Sequence, residues 1–223
     1  MTVIDRRGLV VGGGALGLGL VLPGGLSARQ ARPLTPPQIE GPFYPYDLPP
    51  IYDTDLVKVR AGDAAALGQV THVTGTLWRP DSTPVGDALV EIWQCDANGR
   101  YRHPDDQEAS RTPDPRFQGY ARTTTGPDGA FHFRTIKPVS YTVTAASPPL
   151  VRAPHIHVAV STHGARRLTS QLYVAGEPLN DADMALAMVT DPVLRAGLVR
   201  PYGDGSAFEA GALAAHYDLV ILT

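Results

Sequence analysis

Proline and glycine interrupt this chain too often for a helical bundle. There are 21 Pro and 23 Gly among its 223 residues, and proline alone is about twice its usual share of ~5%. Each proline lacks the backbone donor that a helix interior or a central strand needs. The segments between these breaks are short, and they read as strands. Hydrophobic residues make up 43% of the chain and charged residues 18%, enough to build a core and too little charge for a disordered tail. The length suits one ordinary domain, or two small ones. A net charge of −3, with Lys58 and Lys137 the only lysines, speaks against nucleic-acid binding. Cys95 is the single cysteine, which excludes an internal disulfide and a thiolate zinc cluster. It reads as a small buried hydrophobe rather than a nucleophile.

The N-terminus has the layout of an address. Arg6 and Arg7 precede an uncharged run from Gly8 to Ala28. The apolar middle of that run, Leu9 to Leu22, is Gly-rich and short for a membrane span. Residues 1–31 are therefore expected to be a twin-arginine-type signal peptide, cut near Ala28 or Ala31, leaving 32–223 as the working domain. The expected location is periplasmic or extracellular, with no stable membrane insertion after signal removal. No cysteine follows the apolar run, so no lipid anchor is expected. The twin-arginine route carries proteins already folded, often with a cofactor inserted, which hints at a metal.

Residues 32–68 are Pro-rich and irregular, yet Phe43, Tyr44, Tyr46, Leu48 and Ile51 are too apolar for a free linker, so an ordered arm lying on the domain is expected. From Gln69 strand signals dominate. Val70, His72, Thr74, Thr76 and Trp78 alternate with Thr71, Val73, Gly75 and Leu77. Further strands are expected at 88–93, around Phe131 and Phe133, and at 140–146, 155–161 and 168–174, with turns at Asp81–Pro84, Asp96–Gly99 and Gly126–Gly129. Residues 102–118 read as a long functional loop. Helical pattern appears only late. Asn180 or Asp181 is expected to cap the MALAM segment, and Asp191-Pro192 to open a second helix at 192–199. The fold class is all-β: an antiparallel β-sandwich core with an irregular N-terminal arm and short C-terminal helices.

The chemistry concentrates in Arg152-Ala153-Pro154-His155-Ile156-His157-Val158. In a strand, residues i and i+2 point the same way. His155 and His157 then share one face, while Ile156, Val158 and Val160 line the other. Such a pair can offer two nitrogens to one ion, although two solvent-facing histidines would have the same spacing. Further ligands could be the carboxylates Glu91, Asp96, Asp105 and Asp106, or the phenols of Tyr101 and Tyr141. A phenolate is a hard anionic donor that suits a trivalent ion better than zinc. The residues alone do not choose between these sets.

A longer pattern does. GPFYP, PVGDALVEIWQCDANGRYRHP, FQGYARTTTGPDGAFHFRTIKPVSYTV, RAPHIHV and RLTSQLYVAGEPLND follow one another over about residues 40–181. This order and spacing resemble the intradiol ring-cleavage dioxygenases, most nearly the protocatechuate 3,4-dioxygenase type. The resemblance implies a non-haem ferric iron bound by Tyr101, Tyr141, His155 and His157. It implies that Arg152 stabilises the anionic ring of a bound catechol, that Gln171 orients Arg152 or a ligand histidine, and that Tyr141 is displaced by substrate and helps accept its proton. The implied reaction is cleavage of a catechol-type ring with dioxygen to a muconate-type diacid. The protocatechuate enzymes pair two related chains, so a homo- or hetero-oligomer is among the expectations. The helical N-terminal domain of the catechol 1,2-dioxygenase branch has no counterpart in residues 32–68.

Two other readings compete. Segment 69–136 also resembles transthyretin-like sandwiches, so an exported, non-catalytic binding module would account for the first half. A zinc or copper hydrolase or oxidase built on His155 and His157 would lack an obvious third ligand. Neither explains why two tyrosines and two histidines recur at the family positions.

Overall fold

The computed structural model describes residues 31–46, 53–60 and 62–223. The signal-peptide expectation, and Leu48 and Ile51 of the arm, lie outside these residues. The strands run in the order β1 (Val70–Trp78), β2 (Leu89–Trp93), β3 (Tyr120–Thr124), β4 (Ala130–Ile136), β5 (Tyr141–Val143), β6 (Leu150–Arg152), β7 (His155–Thr162) and β8 (Ala165–Val174). The short helices α1 (Met184–Ala187) and α2 (Pro192–Leu198) follow, and then β9 (Val199–Arg200), β10 (Gly203–Asp204), β11 (Leu213–His216) and β12 (Leu219–Val220).

Two sheets form the sandwich. In the first, β1 pairs antiparallel with β4, while β11 and β12 join it in parallel and β10 extends from β11. The second has the order β3-β2-β7-β8-β9, antiparallel except for the last pair. The core is antiparallel as the alternation predicts, and the parallel additions are all C-terminal segments returning to strand edges. One apolar cluster joins Val73 and Leu77 of β1 and Phe133 of β4 to Val90, Ile92, Ile156, Val158 and Leu172 of the second sheet. That is the hydrophobic alternation of each strand turned toward a common interior. Gly75 is required there: a Cβ at this position would collide with Phe131 Cζ and the Tyr217 carbonyl oxygen.

The second sheet is buried on its other face too. Every residue of β7 from His155 to Val160 is buried, on both parities. The cover comes from the arm, from the two-stranded hairpin β5–β6, and from the C-terminal helices and their connection, where Leu186, Val189 and Leu198 pack with Tyr173. The arm is ordered as expected over residues 31–46. Its backbone is tied to both sheets, by Thr35 N to Val220 O at 3.0 Å and Gln38 N to Thr169 O at 2.8 Å. Asp191 caps α2 as expected, with its carboxylate accepting from Val193 N and Leu194 N. The cap of α1 differs from the expectation. It is Asp183, and Asn180 and Asp181 sit instead in the 3-10 turn before it. The reason is that Asp183 is held in place from outside the helix, as described below.

Candidate metal centre

Strand pairing assembles the site on this covered face. Residues directly opposite in a ladder share a face. Trp93 lies opposite His157, His157 opposite Gln171, and His155 opposite Tyr173. Tyr101 arrives from the turn after β2. Asp96 shapes that turn by accepting from the backbone of Asn98 and Arg100, each at 2.9 Å. Asp106 then accepts from Tyr101 N at 2.6 Å. Tyr141 opens β5 opposite Arg152 of β6, so the hairpin carries both residues to the same edge.

The four side chains converge. Ring centroids are 4.9 Å apart for Tyr101 and Tyr141, 5.4 Å for Tyr141 and His155, 4.6 Å for His155 and His157, and 6.1 Å for Tyr101 and His157. All four residues are at most 3% exposed. His155 Nδ1 donates to the Ala153 carbonyl at 2.6 Å, which leaves its Nε2 as a lone-pair nitrogen. That Nε2 lies 3.1 Å from Nε2 of His157. Two nitrogens bound to one ion at ~2.1 Å would be separated by about this distance. Among the described residues, the hydroxyls of Tyr101 and Tyr141 are buried with no partner at hydrogen-bond geometry, as is Nδ1 of His157. Orphaned buried polar atoms are costly and call for an explanation.

Electrostatics point the same way. Burial, reinforced by the charge of Arg152, holds the His155 imidazole well below its ordinary range. Burial and then His155 hold His157 far below its ordinary range. Both rings are therefore neutral and able to act as ligands. Burial, with Tyr141 adding to it, raises the Tyr101 phenol well above its ordinary value. Burial takes Tyr141 to about 12, with Arg152 pulling the other way. A strongly charged cation at the centre would reverse these two shifts and ionise the phenols. The donors thus fit a hard, highly charged metal ion. Among the described residues no group of three or more His, Cys, Asp or Glu is arranged to hold a metal, so a centre here has to draw on the tyrosines.

The carboxylates left open by the sequence are engaged elsewhere. Glu91 accepts from Tyr120 at 2.6 Å, Tyr44 at 2.8 Å and Arg166 at 3.1 Å. Asp96 and Asp106 order the turn and loop around Tyr101. Asp105 accepts from Tyr46 at the surface. Cys95 is fully buried and its thiol is pushed up to about 12 by burial, in keeping with its reading as a small hydrophobe.

Arg152 is buried beside the cluster. Gln171 Oε1 accepts from its Nη2 at 2.6 Å, so of the two partners expected for Gln171 it is Arg152 that its side chain holds. The other Gln171 atom, Nε2, donates to the Ile39 carbonyl and ties the arm to the site. The sequence reading missed Asp183, which pairs with Arg152, and Trp93, whose ring covers His157. It also missed Gly41, whose missing Cβ would lie 3.3 Å from His157 Cε1. Phe43 of the arm stacks on Tyr101, with ring centroids 4.7 Å apart. The GPFYP motif was the available signal for Gly41. Nothing in sequence separated Asp183 from its acidic neighbour.

A family model described as "Dioxygenase" matches residues 39–222. The chain is 34% identical over 176 residues to the protocatechuate 3,4-dioxygenase beta chain of Burkholderia cepacia, covering 78% of this chain and 73% of that one. It is 32% identical to the hydroxyquinol 1,2-dioxygenase of Nocardioides simplex, covering 73% of this chain and 55% of the relative. Against catechol 1,2-dioxygenase 1 of Acinetobacter lwoffii the identity is 35%, covering 69% of this chain and half of the relative. Among solved structures, the dioxygenase domain of a carbohydrate-binding fusion from Streptomyces sp. SirexAA-E superimposes with a TM-score of 0.61 at 28% identity, covering 84% of this chain and 97% of that one. An intradiol ring-cleavage dioxygenase from Tetranychus urticae shares the fold, with a TM-score of 0.62 at 20% identity, covering 85% and 95% of the two chains. These similarities identify an oxidoreductase of the dioxygenase class. The chain belongs to the intradiol ring-cleavage dioxygenase family.

Proposed function

We propose that this protein is an exported, ferric-iron intradiol dioxygenase that opens the ring of a catechol-type substrate with dioxygen and releases a muconate-type diacid. The observation that carries the reading is the convergence of Tyr101, Tyr141, His155 and His157, with three buried polar atoms that lack partners among the described residues. These four side chains would hold the iron. Ferric iron, when bound, supplies the Lewis acidity and electron-accepting power that make a coordinated catecholate reactive toward dioxygen.

The protein's own residues have separate tasks in this reading. Tyr141 Oη, ionised beside a bound cation, would take a proton from a substrate hydroxyl. Arg152 stabilises negative charge that develops on the ring, and it does so well because it is a fixed, buried cation. Gln171 keeps Arg152 in register. Gly41 and Phe43 form a wall beside His157 and Tyr101, where substrate shape would be sensed.

The test is colour and oxygen uptake. Iron-loaded protein should show a red-brown band from phenolate bound to ferric iron, and Tyr101→Phe or Tyr141→Phe should each weaken it. A dihydroxybenzene panel covering catechol, protocatechuate and hydroxyquinol should reveal oxygen-consuming ring opening with at least one member. A colourless iron-loaded protein, or an unchanged band in both variants, would overturn the ligand assignment and favour the transthyretin-like binding module. Export is supported by Arg6-Arg7 and the apolar run. Replacing both arginines with lysine should leave the protein in the cytoplasm at its precursor size.

A further inference from the structure

We propose that Asp183 is a positioning residue for ring cleavage, holding the Arg152 guanidinium so that one of its nitrogens is left for substrate. This rests on the role given to Arg152 above. Asp183 accepts from Arg152 Nε at 2.9 Å and from Nη2 at 3.2 Å. Gln171 also takes Nη2. Nη1 makes no hydrogen bond among the described residues and is the donor that remains. A two-point carboxylate grip fixes the guanidinium plane in a way that a single bond does not.

Asp183 is itself immobilised. Its carboxylate accepts from the backbone nitrogens of Ala153 at 2.9 Å, Ala185 at 3.1 Å and Leu186 at 3.0 Å. Its side chain is fully buried and that of Arg152 is 3% exposed. A lone guanidinium buried this deeply would be costly, and the carboxylate behind it is the compensating charge. The bond to Ala153 N has a second consequence, because the carbonyl of the same residue sets the tautomer of His155. One carboxylate therefore organises both the cation and a backbone segment leading to the site.

A purely structural alternative is that Asp183 only caps α1. Capping needs an acceptor and not a charge, so Asn or Ser can replace it. The experiment compares iron-loaded wild type, D183N, D183S, R152A and the double variant R152A/D183N. The readouts are iron per chain, the visible spectrum with and without catechol under anaerobic conditions, kcat and KM from oxygen uptake, and Tm. D183N and D183S should keep iron, the visible band and the anaerobic response to catechol. Their kcat should fall by about tenfold to a hundredfold, with KM changed far less, because the missing stabilisation belongs to the transition state. The double variant should be no slower than R152A, since both changes remove one function. If D183N folds poorly, D183S carries the comparison. Wild-type kcat in either folded Asp183 variant while R152A is impaired, or losses that multiply in the double variant, would overturn the proposal. Wild-type kcat in R152A would instead overturn the role given to Arg152, and the two failures are distinguishable.

Discussion

Trp93 lies flat against His157, with ring centroids 4.8 Å apart and planes within 8° of parallel. The two residues are register partners on adjacent strands, so the contact is built into the sheet. The indole therefore sets the plane in which the imidazole presents its Nε2. In the proposed iron centre His157 is a ligand, and groups that orient a metal ligand commonly affect affinity about tenfold to a hundredfold. Trp93→Leu should lose iron to a chelator at least about tenfold faster than wild type, whereas Trp93→Phe, which keeps a flat ring, should stay close to it. Equal loss rates in all three would show that the stacking does not orient the ligand.

Gly41 sits at φ +75° beside His157. That backbone region is strained for any residue with a Cβ, and the added atom would press on the imidazole. Gly41→Ala should destabilise the protein by about 1 kcal/mol or more and raise KM for the catechol severalfold by displacing the arm, while iron content stays near one per chain. Thermal unfolding and steady-state oxygen uptake check both parts. A variant unchanged in both would remove Gly41 from the substrate wall.

Cys95 packs among Phe43, Trp93, Tyr101 and Tyr141, and its thiol rises to about 12 on burial. Thiolate, not thiol, is the reactive form. Native protein at pH 8 should therefore resist alkylation by iodoacetamide over hours, and protein unfolded in urea should label fully within minutes. Mass spectrometry reads the outcome, and rapid labelling of the native form would contradict it.

Asp183 responds to pH with a definite sign. Burial alone would raise its carboxyl, but the hydrogen bonds and charge of Arg152, together with backbone donors, outweigh it and hold the group below the usual carboxylate range. A folded value below the unfolded ~3.9 means that its stabilisation is complete at higher pH and is lost as pH falls through the folded value. The stability difference between wild type and D183N, measured by urea unfolding, should be constant above about pH 5 and shrink below about pH 4. A difference that grew on acidification would have the wrong sign.

Several features were legible in the residues because they are local. The alternation in 70–78 and 155–161 assigns each side chain to a sheet face whatever the partner strand is. Asp191-Pro192 marks a helix start by its own chemistry. Asp183 was not legible. It and Asp181 are two residues apart and equally able to cap, and only the position of Arg152, 31 residues earlier in the chain, separates them. The parallel returns of β9, β11 and β12 were also invisible, since strands of two to four residues carry almost no periodicity.

The residue pattern places His155 and His157 on one face and makes the chain a sheet former, and the ordered motifs carry the resemblance that implies Tyr101 and Tyr141 as their companions. Packing is what brings these four side chains together, puts Arg152 in the grip of Asp183, and closes Gly41 and Trp93 on His157. The reason is that a strand's periodicity is written in neighbouring residues. The meeting of a turn, a hairpin, an arm and a helix cap depends instead on how two sheets pack and where their loops are obliged to return.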